Sequence, residues 1–205
     1  IYGRSMDEHG AFADLDGRVA LVTGCGSPDG IGFATARLLG RQGAKVAITS
    51  TTERIQERVA ELGDEGITAS GHVADLTDPE EAARVVAETV EIHGGLDILV
   101  NNAGMSQVGT EDLGRPFADL SPEAWQAGID QNLNLTANVT RAALADITQA
   151  DGGRIVFVTS VTGPVVSAPG NPAYSAAKAG LDGLMRSLAI ELGPGGTTVN
   201  SVNPG

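Results

Sequence analysis

The sequence predicts a single α/β domain built on a doubly wound parallel sheet with helices on both faces. Short runs rich in β-branched residues alternate with longer segments of helical periodicity. Those runs are nearly continuous in apolar residues, which is typical of parallel strands buried on both sides. The predicted strands are 19–23, 45–49, 67–73, 96–101, 154–159 and 197–202, and the predicted helices are 31–42, 53–62, 79–92, 122–145 and 173–192.

The chain of 205 residues suffices for one substantial domain. Residues 1–16 show no hydrophobic period, so we interpret them as an N-terminal extension or the remnant of a tag, and we place the domain at 17–205. Helix starts are signalled at Asp78-Pro79 and Ser121-Pro122, with proline at the first helical position. The stretch 110–120 is interpreted as a long loop inside the domain.

Charge and cysteine content exclude several kinds of site. The chain has 13 Lys and Arg against 26 Asp and Glu, a net charge of −13, whereas a nucleic-acid partner requires clustered cations. The single cysteine, Cys25, excludes an intramolecular disulfide and a multi-cysteine zinc site. With no base near it, Cys25 is interpreted as a small semi-buried residue. The histidines His9, His72 and His93 lack ligand spacing, so we expect no metal and place them at the surface or at helix ends.

The sequence shows no sign of a membrane partner. No apolar run reaches the roughly 18 residues of a membrane span, and the N-terminus has no apolar signal core. We therefore expect a cytoplasmic protein.

Polar and glycine-rich clusters follow four of the predicted strands, at 24–32, 101–104, 159–160 and 203–205. The carboxyl ends of parallel strands lie at one edge of a sheet, where doubly wound proteins bind their ligands. The first cluster leads directly from strand to helix through Gly24, Gly30 and Gly32. Glycines there permit a tight turn and let backbone amides approach a pyrophosphate, with the helix N-terminus facing the same anion. The alternative is a purely structural turn.

These motifs resemble the short-chain dehydrogenase/reductase family, in particular 3-oxoacyl-(acyl-carrier-protein) reductase-like members. The family pattern is Thr-Gly, three residues, then Gly-x-Gly; here five residues separate Gly24 from Gly30, so the loop is two residues longer. The family's Asn-Asn-Ala-Gly motif is present at 101–104. The resemblance runs from about residue 18 to 205 and implies a Rossmann fold with an NAD(P) cofactor. It implies that the cofactor is bound by Gly24, Ser27, Gly30, Ile31, Ser50, Thr51, Asp75, Leu76, Asn102, Ala103, Gly104, Tyr174, Lys178, Pro204 and Gly205. For Asp75 the alternative is a helix-capping or turn carboxylate.

The choice between NAD and NADP depends on the end of the second strand, where a carboxylate would bond the ribose 2′-hydroxyl. The family's acidic position falls at about Ser50, so that carboxylate is absent. Hydroxyls at Ser50, Thr51 and Thr52, with Arg54 nearby, suit a 2′-phosphate, and we expect NADP. Against this, Asp29 occupies a loop position where many NADP-dependent members carry a base. The alternative is that Thr52 caps the next helix and Arg54 is solvated.

The resemblance assigns catalysis to Ser160, Tyr174, Lys178 and Asn132. Tyr174 and Lys178 are four residues apart and so share one helix face, a spacing that also occurs by chance. The separation of Ser160 from Tyr174 is one residue longer than in the commonest members. A tyrosine hydroxyl ordinarily has a pKa near 10. A neighbouring ammonium and an oxidised nicotinamide would favour the phenolate and lower that value, so that the tyrosine can act as acid or base.

The remaining roles follow from the same chemistry. Ser160 would hydrogen-bond the substrate oxygen, Lys178 would also hold the ribose hydroxyls, and Asn132 would hold a water that connects Lys178 to solvent. We expect hydride transfer between nicotinamide and a ketone or secondary alcohol. The alternatives are a non-catalytic dinucleotide-binding redox sensor and a sugar-nucleotide epimerase or dehydratase.

The substrate itself is not specified by the sequence. Val161, Val165, Val166 and residues 105–107 are candidate walls of an apolar pocket. Family members continue beyond the motif at 203–205, so we expect 17–205 to lack the usual C-terminal substrate segment and last strand. The resemblance also implies a homodimer or homotetramer that uses helices 122–145 and 173–192.

Overall fold

The protein is described here by a computed structural model covering residues 14–104 and 116–205, in which six strands form one parallel sheet. The strands are β1 (Val19–Val22), β2 (Lys45–Ser50), β3 (Ala69–Val73), β4 (Ile98–Asn101), β5 (Arg154–Val158) and β6 (Thr198–Val202). Their spatial order is β3-β2-β1-β4-β5-β6, so the direction of progression reverses between β1 and β4. This is a Rossmann-type α/β fold, as the sequence predicts, and its switch point lies where ligands bind in such sheets.

The helices divide between the two faces of the sheet. They are α1 (Ile31–Arg41), α2 (Arg54–Asp64), α3 (Pro79–His93), α4 (Pro122–Ile129), α5 (Leu135–Gln149) and α6 (Pro172–Leu192). One buried apolar cluster joins the sheet to α1 and α2, and a second joins it to α3, α5 and α6. In β1 the alternation is plain, because Leu21 belongs to the second cluster while Ala20 and Val22 belong to the first. No helix within 14–104 and 116–205 is long and apolar enough to cross a bilayer.

Both predicted helix starts are confirmed by their caps. The side chain of Asp78 accepts a hydrogen bond from the amide of Glu80 at 2.8 Å, and that of Ser121 accepts one from Ala124 at 3.1 Å. In each helix a proline follows the cap at the first helical position. There it removes an amide that would have had no partner inside the helix.

The predicted helix 122–145 is helical throughout and extends to Gln149, but its winding is not uniform. A π-helical turn, Asp130–Asn134, separates α4 from α5. Within it Asn132 is 2% exposed, and its side-chain Nδ2 donates to the carbonyl of Gly128 at 3.0 Å. A side chain that takes a carbonyl from the helical ladder is a recognised cause of such a turn. The apolar period runs on across the turn, so the sequence pattern gave no sign of it.

His93 lies at a helix end, as expected, whereas His72 differs from the expectation of a surface or helix-end position. His93 does end α3, but both His93 and His72 on β3 are buried. The hydroxyl of Ser70 lies between them, 3.0 Å from Nε2 of His72 and 2.9 Å from Nε2 of His93. Nδ1 of His72 is 2.8 Å from a carboxylate oxygen of Glu88. This chain of hydrogen bonds satisfies polar groups that would otherwise be costly to bury between α3 and the edge strand.

Candidate active site and nucleotide-binding edge

The glycine loop after β1 is a turn that side chains would obstruct. Gly24 has a φ of +74°, and a Cβ there would lie 2.8 Å from the Cα of Ala103. The loop is tied to the end of β2, where the amide of Cys25 donates to the carbonyl of Thr49 at 2.7 Å. A Cβ on Gly26 would lie 3.0 Å from the Cβ of Ser50. The first part of the loop therefore passes close to the end of β2.

The N-terminus of α1 is open to an anion. Gly30 precedes the helix without a side-chain cap, and the first turn carries no acidic residue. Ile31 is exposed at the start of the helix, while a Cβ on Gly32 would clash with the side chain of Asn102 and lie 2.7 Å from the carbonyl of Gly24. Uncapped amides at a helix start, approached through glycines, are suited to bind a phosphate group.

Asn102 braces this loop from the neighbouring strand. Its Nδ2 donates to the carbonyls of Thr23 and Gly24, each at 3.0 Å. In return, Oγ1 of Thr23 accepts from the amides of Asn102 and Ala103 at 3.0 and 2.9 Å. The side chain of Asn102 thus shapes the phosphate loop, and Thr23, which the sequence reasoning did not single out, is its counterpart. The signal for Thr23 was its place beside Gly24 at the end of a buried strand.

At the end of β2 the hydroxyl groups form a local turn. Ser50 Oγ donates to the carbonyl of Thr52 at 2.7 Å and accepts from the amide of Thr52 at 3.1 Å. Nε of Arg54 donates to Oγ1 of Thr52 at 3.3 Å, which holds the guanidinium beside this turn. Thr51 is exposed between them. One exposed cation and several hydroxyl groups therefore flank the position where an adenosine ribose would lie.

Asp75 and Leu76 follow β3 in a turn that is also fixed by side chains. Oδ1 of Asp75 accepts from the amide and the hydroxyl of Thr77 at 3.0 and 2.7 Å, so the turn-carboxylate interpretation holds for this oxygen. Leu76 is buried, and Nδ2 of Asn138 on α5 donates to the carbonyls of Leu76 and Thr77. The backbone of this turn is therefore held from two sides.

Tyr174 and Lys178 lie on the first turns of α6, beside the end of β5. Lys178 is 1% exposed, and its Nζ donates to the carbonyl of Val158 at 3.0 Å. The same Nζ lies 5.6 Å from the ring centroid of Tyr174, which is half-buried. Burial lowers the pKa of Lys178 to about 8. A buried cation with a lowered pKa beside a tyrosine ring is a combination found at sites that move protons.

Ser160 directly follows β5, on the same edge. Its Oγ accepts a hydrogen bond from the amide of Thr162 at 3.0 Å. Among the described residues no acceptor is recorded for its hydroxyl proton, which can therefore be donated to a ligand. Asn132 lies on the other side of the edge, because a Cβ on Gly104 would be 3.1 Å from Oδ1 of Asn132. The π turn thus brings Asn132 against the end of β4.

The last motif is joined to the serine loop by backbone hydrogen bonds. The amide of Val161 donates to the carbonyl of Pro204 at 3.0 Å, and a Cβ on Gly205 would touch the side chain of Val161 at 3.9 Å. Val165 and Val166 are exposed in the same loop. The further wall candidates at 105–107 lie outside the described residues.

The described residues support neither nucleophilic catalysis by Cys25 nor a metal site. Cys25 is fully buried, its Sγ donates to the carbonyl of Val22 at 3.3 Å, and burial raises the pKa of the thiol to about 12. Such a thiol is not a nucleophile at neutral pH. Over the parts of the chain that the structure describes, no group of three or more His, Cys, Asp or Glu side chains is placed to hold a metal ion.

Comparison with known proteins gives matches along nearly the whole chain. The sequence family described as short chain dehydrogenase matches residues 18–205. Oxidoreductase UcpA of Salmonella typhimurium is 38% identical over 191 residues, which cover 93% of this chain and 70% of that protein.

Solved structures of short chain dehydrogenases are also similar to this chain along most of its length. Carveol dehydrogenase from Mycobacterium avium, in complex with NAD, has a TM-score of 0.84 at 33% identity over 93% of this chain and 71% of its own. A short chain dehydrogenase from Burkholderia cenocepacia, in complex with NADP, has a TM-score of 0.84 at 39% identity over 94% of this chain and 76% of its own.

Proposed function

The chain belongs to the short-chain dehydrogenase family and is an NAD(P)-dependent oxidoreductase acting on a small molecule, and we propose that Ser160, Tyr174, Lys178 and Asn132 carry its reaction. The reaction is hydride transfer between nicotinamide and a ketone or secondary alcohol. The observation that carries this proposal is the buried Lys178 with its Nζ 5.6 Å from the ring of Tyr174, at the edge where all the binding motifs meet.

The residues of the binding edge suit a dinucleotide. The open N-terminus of α1 and the glycines before it would hold the pyrophosphate, since side chains at Gly24 or Gly32 would fill the space. The turn at Asp75-Leu76 would hold the adenine, and Pro204-Gly205 would lie beside the nicotinamide. The cofactor, when bound, supplies or accepts the hydride.

Tyr174 is the proton donor in carbonyl reduction and the acceptor in alcohol oxidation. The ammonium of Lys178 favours the phenolate that remains when the proton has left, and its contact with the carbonyl of Val158 holds it in place for this role. The Ser160 hydroxyl donates to the substrate oxygen and stabilises the negative charge that develops there. Asn132, buried against Gly104, holds a water that links Lys178 to solvent.

For the cofactor we propose NADP. Support comes from the hydroxyl-lined turn at Ser50–Thr52 and from Arg54, held beside it by its bond to Thr52. Asp29 on the glycine loop argues against NADP, because its negative charge would repel a 2′-phosphate. Titration of the protein with NADPH and NADH, followed by nicotinamide fluorescence, tests this choice. Tighter binding of NADPH that weakens in Arg54→Ala supports it, and tighter binding of NADH contradicts it.

The substrate is proposed to be a ketone or alcohol with apolar substituents. Val165 and Val166 are exposed side by side in the loop that follows Ser160, where they would form part of an apolar wall. We propose that residues 17–205 form the cofactor-binding domain, preceded by the extension 1–16. The protein is proposed to act in the cytoplasm.

A homodimer or homotetramer is also proposed. On the outer face of α6, Ala176, Ala179 and Gly183 are exposed, and Ile190 is 79% exposed. Small side chains allow a second helix to approach closely. Light scattering during gel filtration measures the state directly, and Ile190→Arg is expected to shift it toward the monomer.

The proposed reaction is tested by Tyr174→Phe. Loss of the proton donor should lower turnover by roughly 10²- to 10⁴-fold. Affinity for NADPH should fall by no more than about tenfold, since the hydroxyl contributes at most one hydrogen bond to the cofactor. The control is Ser175→Ala, which changes the neighbouring residue, whose hydroxyl bonds Ser167. Turnover that survives in Tyr174→Phe would contradict the mechanism, and it would favour a protein that binds the dinucleotide without using this proton donor.

A further inference from the structure

A buried carboxylate on α6 lies outside the residues given a role so far. Asp182 is 7% exposed and follows Lys178 by four residues and Tyr174 by eight, so all three lie on adjacent turns of one helix face. No ion pair with Asp182 is recorded among the described residues. Its Oδ1 is buried and has no hydrogen-bond partner among them. A buried carboxylate is costly unless it is hydrogen-bonded, so its contacts require an explanation.

The recorded hydrogen bond of Asp182 leads to the serine loop. Nδ2 of Asn203 lies 3.4 Å from Oδ2 of Asp182 and donates also to the carbonyl of Ser160 at 3.2 Å. One side-chain amide therefore joins α6, the segment after β5 and the segment after β6. The two segments also meet through their backbones, where the amide of Thr159 donates to the carbonyl of Val202 at 2.9 Å.

The carboxylate of Asp182 and the carbonyl of Ser160 together determine which way the amide of Asn203 faces. The two ends of an asparagine amide have nearly the same shape, but one end only donates and the other only accepts. An ionised carboxylate only accepts, so it requires the NH₂ end to face it. The same NH₂ end then has its second proton directed at the carbonyl of Ser160. With an apolar side chain at 182, only the carbonyl of Ser160 would remain of these two acceptors, and the amide of Asn203 would be held less firmly.

We propose that Asp182 is a positioning residue for Ser160: it orients the amide of Asn203, and Asn203 fixes the backbone of Ser160 relative to the segment Pro204-Gly205. The inference rests on the proposed catalytic role of Ser160. Asp182 touches neither the substrate nor the cofactor. Its function is to hold the serine hydroxyl at the right place relative to Tyr174 and the nicotinamide.

The test compares Asp182→Ala, Asp182→Asn and Asn203→Ala in the full chain, with Glu191→Ala as the control for an exposed carboxylate on the same helix. Two properties are measured in each. The first is the pair of ¹⁵N side-chain amide signals of Asn203. The second is turnover of NADPH with acetophenone and ethyl acetoacetate as probe ketones, together with NADPH affinity from fluorescence.

In the wild type the two Asn203 amide protons should be distinct and protected from exchange. They should lose that protection in Asp182→Ala but keep it in Asp182→Asn, whose amide oxygen can still accept. The kcat should fall by roughly 10- to 100-fold in Asp182→Ala and Asn203→Ala, the range expected for a misplaced catalytic group. NADPH affinity should change less than kcat does, because the glycine loop is not altered and only the segment beside the nicotinamide is affected. Asp182→Ala combined with Asn203→Ala should be no worse than Asn203→Ala alone, since both act through one contact.

Unchanged Asn203 signals in Asp182→Ala would overturn the orientation step. Unchanged kcat, or effects of the two alanine variants that add, would overturn the positioning role, and a lower melting temperature with unchanged kcat would mark Asp182 as a stability residue only. A wild type that binds NADPH but reduces neither ketone, or a Tyr174→Phe variant that stays active, would instead overturn the proposed function. The Asn203 signals are measured independently of turnover, so the two failures are distinguishable.

Discussion

The side-chain amide of Asn102 joins the ends of β1 and β4, and Asn102→Ala removes this brace while leaving the backbone of the motif intact. Two hydrogen bonds of 3.0 Å are lost, to the carbonyls of Thr23 and Gly24. Each neutral hydrogen bond contributes about 0.5–1.5 kcal/mol net, so the free energy of unfolding should fall by about 1–3 kcal/mol.

The same loss should appear in cofactor binding. In the proposed pyrophosphate site the glycine loop must keep one shape, and a protein that populates this shape less binds its ligand more weakly in proportion. A loss of about 1–3 kcal/mol corresponds to an increase of roughly 5- to 150-fold in the Kd for NADPH. At saturating NADPH the kcat should change little, because no group that moves a proton is altered.

Urea unfolding gives the stability, and nicotinamide fluorescence gives the Kd. The matched control is Gln149→Ala, which removes a side-chain amide that donates to the carbonyl of Ala145 at the exposed end of α5. Its effect on stability should stay within about 0.5 kcal/mol. An Asn102→Ala variant with the stability and Kd of the wild type would refute the brace. A variant that loses stability but keeps its Kd would refute the link between the brace and the shape of the loop.

Three further predictions concern titratable groups. Burial lowers the pKa of Lys178 to about 8. The kcat/KM for the cofactor should therefore decline as the pH rises through about 8. A pH profile that stays flat to about pH 10 would contradict the role of the ammonium. Burial raises the pKa of the Cys25 thiol to about 12. A disulfide reagent at about pH 8 should therefore label this thiol only as the protein unfolds. Rapid labelling of the native protein would contradict the burial of the thiol. Burial, with Lys45 and His72 as smaller causes, lowers the pKa of His93. The unfolded chain then binds the proton more readily, so stability should fall as pH drops below the unfolded value of about 6.5, and His93→Gln should flatten this decline in urea titrations.

The sheet was predictable because parallel strands buried on both faces leave a nearly continuous apolar record. The run predicted at 45–49 is β2 (Lys45–Ser50), and the run predicted at 154–159 is β5 (Arg154–Val158). The caps at Asp78 and Ser121 were predictable because they depend on neighbours only two or three residues away. The π turn was not, because an asparagine within a helical segment is ordinary and the sequence does not show that its side chain bonds the carbonyl of Gly128.

The position of the binding edge was predictable, because the motifs directly follow the strands. The hydrogen-bond partners of each side chain were not predictable. Asn102 is placed on the phosphate loop by its bonds to Thr23 and Gly24. Asp182 gave no signal, because an isolated aspartate in a helix is usually solvated, and its contact with Asn203 arises only when β6 packs beside α6. The burial of His72 gave no signal either, because its contact with Glu88 arises only when α3 packs beside β3.

The widened turn at Asp130–Asn134 sets the angular phase between α4 and α5. The side chains that α5 buries include Leu135, Val139, Ala143 and Ile147. An additional residue in a regular α-helix would rotate everything after it by about 100°. The π turn instead holds one residue more per turn and takes it up locally, so α5 still directs these aliphatic side chains into the apolar layer. Deleting that residue should therefore leave the buried side of α5 in place, and the position of Asn132 against the end of β4 is what would be lost.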